Sequence, residues 1–185
     1  QSWHTEQNHE HSIGMPTLIA KAYTEVADVR QIWPGSFKQE PQSVLVWVNL
    51  SASMPLGGSA YNQAHSLIGE QVPAVSLSRV VGCMQALQAL RHEKIEVLSY
   101  NSCGAGGLWM ALCELGLAGK CGFEIDLPSP GDAVANLFAE GVGLVIQLKQ
   151  TEFSAVMKIF TQYKLQSCVH NIGAVDVSGK VRVRA

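Results

Sequence analysis

The run from Ser43 to Leu50, SVLVWVNL, is apolar at nearly every position and rich in β-branched residues. Side chains alternate across a strand, so a strand that is apolar on both faces must be covered on both. This segment predicts a buried central strand with helices packed on the sheet around it. The remaining chain supplies both kinds of element. Between Ser76 and His92 the apolar residues Leu77, Val80, Val81, Met84, Leu87 and Leu90 recur at helical spacing, with Ser76 or Ser78 as N-cap. Leu108 to Ala118 reads as a buried helix ending at Gly119, Asp132 as the cap of DAVANLFAE, and Thr151 as the cap of TEFSAVMKIFTQYK. SAYNQAHSLIG reads as a further helix with Ser59 in its first turn, and EVADVRQ as a short helical turn. Further strands are expected in TLIAKAYTEV from Thr17, KIEVLSY from Lys94, CGFEIDL, GLVIQLK, SCVHNIGAV and KVRVR. WPGSFKQEPQ and SASMPLGG are loops. The expected fold class is α/β (or α+β), one domain with a mixed β-sheet flanked by helices.

Composition narrows the function classes. Of 185 residues, 47% are hydrophobic but only 15% charged, against about 25% in ordinary soluble domains. So thin a charge points to a surface normally covered by another domain or subunit. The net charge of −2 comes without a long basic run, which argues against a nucleic-acid surface. No apolar run reaches the length of a membrane span, and no membrane association is expected. Five cysteines without C-x-x-C spacing read as reduced thiols of a cytoplasmic protein rather than a zinc site or disulfide framework. Residues 1–15, with His4, His9 and His11, read as a flexible leader, and 16–185 as the single domain. The first residue is not Met, so excision from a larger multidomain protein is expected.

Two glycine-rich turns each join a buried strand to a helix. In Leu56-Gly57-Gly58-Ser59-Ala60-Tyr61-Asn62-Gln63, glycines let the backbone approach a ligand and the helix start offers N–H groups to an anion. Ser59 could add a hydroxyl and Gln63 an amide. The alternative is an ordinary turn capped by a serine. The second turn, Asn101-Ser102-Cys103-Gly104-Ala105-Gly106-Gly107, fits neither nucleotide-binding glycine pattern. Nothing nearby would activate Cys103, so an inert thiol is expected. Glu124 and Asp126 share a strand face that reads as solvated. Glu114, His65, His92 and His170 stand isolated in sequence. The residues by themselves give a small-molecule or anion-binding domain with no visible catalytic set.

The same turns carry a resemblance. LGGSAYNQ resembles the LGG-S/T-ALAQ segment of phosphoribosylformylglycinamidine synthase (formylglycinamide ribonucleotide amidotransferase). LSYNSCGAGGLWMALCELGLAGKCGFEIDL is similar to that family's strand, HD-x-SDGGL turn, helix and strand, with ELGLAGKCG matching its EMAFAGHCG. NLFAEGVGLVIQL, CVHNIG and the entry segment TLIAKAYTEVADVRQ continue the likeness from about Pro16 to Ala185. The resemblance implies the C-terminal-type half of the aminoimidazole ribonucleotide synthetase superfamily. It also implies an ATP-binding half and a glutaminase as partner domains in the parent polypeptide, with ATP and magnesium as parent cofactors. In that family, ATP phosphorylates the amide oxygen of formylglycinamide ribonucleotide, and ammonia from glutamine displaces the phosphate.

The departures from the pattern are as informative. The family's histidine falls on Asn101, its two acidic positions on Ser102 and Ala105, and its serine on Gly104. An amide does not titrate near neutral pH and cannot replace a proton-handling imidazole. No catalytic residue and no metal ligand is therefore expected. Gly57, Gly58, Ser59, Gln63, Gly106 and Gly107 remain as a substrate- or phosphate-binding set. The chain alone is expected to be inactive and to hold no cofactor. Its parent reads either as a working glutamine-dependent ligase of purine biosynthesis or as a pseudoenzyme scaffold with a protein partner. The tegument proteins of some gammaherpesviruses are scaffolds of that kind, which would place it in the virion tegument and host nucleus.

Overall fold

The computed structural model describes residues 4–7, 10–13, 19–26, 28–69, 71–128 and 132–184. Two compact units divide the chain, residues 1–32 and 33–185. The first contains an antiparallel hairpin of β1 (His4–Gln7) and β2 (Glu10–Ile13), within the stretch read as a leader. His9 lies outside the described residues. So do Thr17 and Leu18 at the start of the expected entry strand. The described part of that segment, 19–26, is not a strand. Ile19, Tyr23 and Val26 stand four and three apart rather than at period two, and all three are exposed. Apolar residues make a strand only where a sheet edge receives them. The helical turn forms at Val29–Gln31, where the Asp28 carboxylate accepts from Arg30 N–H.

The second unit runs β3 (Ser43–Asn49), α1 (Ala60–Ala64), α2 (Leu77–His92), β4 (Val97–Cys103), α3 (Gly107–Gly119), β5 (Gly122–Asp126), α4 (Ala133–Phe138), β6 (Gly143–Lys149), α5 (Phe153–Gln162), β7 (Val169–Asp176) and β8 (Val181–Arg184). Six strands form one sheet in the order β4-β6-β3-β7-β5-β8. Every pairing is antiparallel except β5 with β8, so the sheet is mixed. Val44, Val46 and Val48 of β3 join one core layer with Cys83, Leu90, Val156 and Phe160 from α2 and α5. Leu45 and Trp47 join the opposite layer with Leu108, Leu112 and Leu115 of α3. The strand expected to be central is central, and each of its buried side chains contributes about 2 kcal/mol.

The largest polar side chain that is fully inside is an amide. Gln147 of β6 has no solvent exposure. Its amide oxygen accepts from Lys38 N–H at 2.8 Å, and its nitrogen donates to Lys38 O and Ser43 Oγ, each at 2.8 Å. The strap entering β3 is thereby tied to the sheet.

Four local expectations need correction. The helix after Ser59 stops at Ala64, because His65 ends it and Ser66 turns into the left-handed region at φ 54°. Thr151 does not cap α5; Gln150–Glu152 form a 3-10 turn and the helix begins at Phe153. β4 extends through Asn101, Ser102 and Cys103, because these pair with Val145, Leu144 and Gly143 of β6. The inner stripe of α2 is Cys83, Ala86, Leu87 and Leu90, whereas Leu77, Val81 and Met84 face outward.

Candidate functional site

Strands β3 and β4 both run antiparallel to β6. Their carboxyl ends therefore lie together, where β6 begins. Register makes this concrete, since Asn49 and Cys103 are both paired with Gly143. The first glycine turn follows β3, the second follows β4, and the loop feeding β6 arrives between them. That loop carries Glu140.

A single carboxylate oxygen of Glu140 accepts from Ala60 N–H at 2.7 Å and from Gly106 N–H at 2.8 Å. These are the starts of the helices that follow the first and second turns. Backbone N–H groups at such positions are the ones an anionic ligand would use. Here the protein's own carboxylate takes them, with the short distances of charge-assisted bonds.

The expected binding residues are otherwise engaged in shaping the turns. Gly57 is buried, and a Cβ there would lie 1.9 Å from Gln71 O. Gly107 has φ +65°, and a Cβ would lie 2.7 Å from Leu137 O. The Ser59 hydroxyl, in a residue only 1% exposed, donates to Leu56 O at 2.6 Å and accepts from Asn62 N–H. It is an N-cap, as the plain reading of the turn had it. Gly58 and Gln63 are exposed. Among the described residues, the Gln63 side chain bonds neither turn. The structure thus brings the two turns together through Glu140 while committing Ser59 and the tight glycines to the backbone.

Asn101 donates its amide to Glu114 Oε2 at 2.8 Å and to Ala111 O at 3.3 Å. The position that resembles the family's histidine therefore holds a neutral group satisfied by α3. Burial pushes the Cys103 thiol up to about 12, only partly opposed by a hydrogen bond from Trp47. At neutral pH it is a thiol, not a nucleophile. Ser51 Oγ is buried beside Gly141 with no partner among the described residues. Glu124 and Asp126 are ion-paired on the surface with Arg182 and Arg184, contacts of about 0–1 kcal/mol each. His65 bonds Tyr61 O and stacks on the Tyr61 ring. His92 is the exposed last residue of α2. His170 lies tilted against Trp47, and burial lowers its pKa. His65 thus reaches the first turn at Tyr61, whereas His92 and His170 bond neither turn among the described residues.

The turns do not fit Mg-ATP. Magnesium takes oxygen ligands and phosphates take cations, but Glu140 is committed to two N–H groups and residues 56–63 and 101–107 include no Lys or Arg. Among the described residues, no three His, Cys, Asp or Glu side chains converge on a metal-sized point. Among the described residues, no helix is long and apolar enough to cross a membrane.

Sequence reasoning missed Glu140, although NLFAEGVGLVIQL had been singled out as a whole. Its signal was faint: one acid beside a glycine at the entrance to a strand. Knowing that β6 pairs with both β3 and β4 is what turns that into a position.

Residues 40–185 match the family described as AIR synthase related protein, C-terminal domain. Among solved structures, Thermotoga maritima PurL complexed with FGAR superposes with a TM-score of 0.67 at 16% identity, over 84% of this chain and 27% of that one. PurLQS from Thermotoga maritima gives 0.60 at 18% identity, over 80% of this chain and 24% of that one. E. coli HypE, a hydrogenase maturation protein, gives 0.59 at 20% identity, over 83% and 49%. At these identities the similarity is one of fold. The chain spans about a quarter of the PurL chains and about half of HypE.

Proposed function

The chain belongs to the family of AIR synthase related protein C-terminal domains, and from that premise we propose that it is a PurL-like domain whose own chemistry is silent. In this reading it belongs to a larger cytoplasmic polypeptide with an ATP-binding half and a glutaminase, and it contributes binding surface rather than a proton-transfer group. One observation carries the reading: Glu140 occupies the N–H groups of both turns. An anionic substrate would have to displace a carboxylate held by two short hydrogen bonds. Asn101 adds support, because an amide paired with Glu114 can neither take nor give a proton at neutral pH.

The test is an assay of the natural polypeptide that carries this domain, with formylglycinamide ribonucleotide, ATP and either glutamine or ammonia. The expected result is no amidine product above the enzyme-free blank. Product formation that Asn101→Ala abolished in a folded protein would overturn the reading. If Asn101→Ala left that activity intact, the chemistry would reside in groups other than this turn.

A further inference from the structure

Helix α2 carries more apolar surface than the sheet covers. Its inner stripe packs in the core, but Leu77, Val81 and Met84, spaced four and three apart, stand 77%, 50% and 56% exposed. Beside this outer stripe runs a groove of about 600 Å³ between the start of α2 and residues 162–165. Gly82 and Leu165 help to line it, and a Cβ at Gly82 would lie 3.3 Å from Tyr163 O. A helix that is apolar on two sides is built to be covered on two sides.

The charge along the groove has one sign. Arg79 and Lys164 line it, and no carboxylate does. Arg79 leans on the carbonyls of Leu50 and Ser51, at 3.4 and 3.3 Å, and neither cation pairs with an acid among the described residues. The amino end of α2 adds to this sign. The Ser76 and Ser78 hydroxyls bond each other, Ser76 makes no side-chain cap to the first turn, and a helix start carries partial positive charge. A second copy of this chain is a poor occupant, because two-fold pairing would set these cationic rims against each other.

We propose that this face docks an amphipathic helix from a protein partner, with its apolar side on Leu77, Val81 and Met84 and its carboxylates toward Arg79 and Lys164. Such an occupant matches both the spacing of the anchors and the sign of the rim. The docking face lies on the outer side of α2, apart from the glycine turns, and does not depend on whether those turns are silent.

The probe is a fluorescein-labelled helical peptide with Leu at i, i+4 and i+7 and Glu on its flanks, alongside a twin with Lys for Glu. Fluorescence anisotropy is expected to show saturable binding of the Glu peptide, at least about tenfold tighter than its twin and weakening with salt. Val81→Glu and Met84→Glu, both at exposed positions, should each abolish it, and Lys164→Gln should narrow the gap between the twins. Circular dichroism checks that each variant is folded. Failure of the Glu peptide to bind, equal binding of the twins, or binding that survives both Glu variants would each overturn the proposal. Sedimentation showing a dimer that Val81→Glu dissolves would also overturn it, assigning the face to a second copy.

Discussion

The two glycine turns are alike in glycine content and in joining a strand to a helix, and they differ in what their small residues do. In the first, Gly57 is wedged against the Gln71 backbone and Ser59 is consumed as a cap. Its shape is dictated from within. In the second, Gly107 is equally constrained by the carbonyls of Leu137 and Ala139, but Gly104 has no heavy atom within 4 Å of where a Cβ would sit. Each turn pairs a wedged glycine with a roomier one, but Gly58 of the first has φ +73° whereas Gly104 of the second is free of both neighbours and positive φ. Glycine content alone therefore says little about ligand approach: a glycine can mark the close passage of the protein's own backbone as readily as that of a phosphate.

Substitutions sharpen this contrast. The largest effect is expected from Gly57→Ala and Gly107→Ala, where the new methyl collides with backbone oxygens that cannot step aside. Each should cost about 3 kcal/mol or more in urea unfolding, or prevent folding. Glu140→Ala comes next, at about 1–3 kcal/mol, because it strips the acceptor from both turns. Glu140→Gln keeps an acceptor oxygen and should recover part of that loss. If Glu140→Ala proved neutral by the same measurement, the carboxylate would be a bystander. The smallest effect belongs to Gly104→Ala, expected to stay within about 0.5 kcal/mol of the parent. A large loss there would mean that Gly104 is as constrained as the wedged glycines.

Much of the fold could be read from the sequence because its causes are local. β-branched apolar runs made β3 and β6, Asp132 capped α4 by accepting from Ala135 N–H, and α3 ended at Gly119, although its left-handed cap is Lys120 rather than the glycine. Where the cause was distant, the reading failed. Period told which residues of α2 are apolar but not which stripe meets the sheet, since Cys83 and Ala86 complete one stripe as well as Val81 and Met84 complete another. In 19–26 the large apolar residues fall at spacings of four and three, and the segment joins no strand among the described residues. The turns were visible as glycine clusters, whereas their convergence depends on the pairing of β6 with two strands at once. For the same reason Glu140 could not be located from its neighbours in the chain.

The buried amide of Gln147 has one more consequence. β3 and β6 are apolar on both faces, so sliding one along the other by a residue would still place oil against oil. Only one alignment sets the Gln147 side chain opposite Leu45 and within reach of Ser43 and the Lys38 peptide. Any slip would strand an amide in hydrocarbon with its donors and acceptors unmet. Gln147 thus works as a keyed pin, letting two otherwise featureless ribbons mesh in a single position.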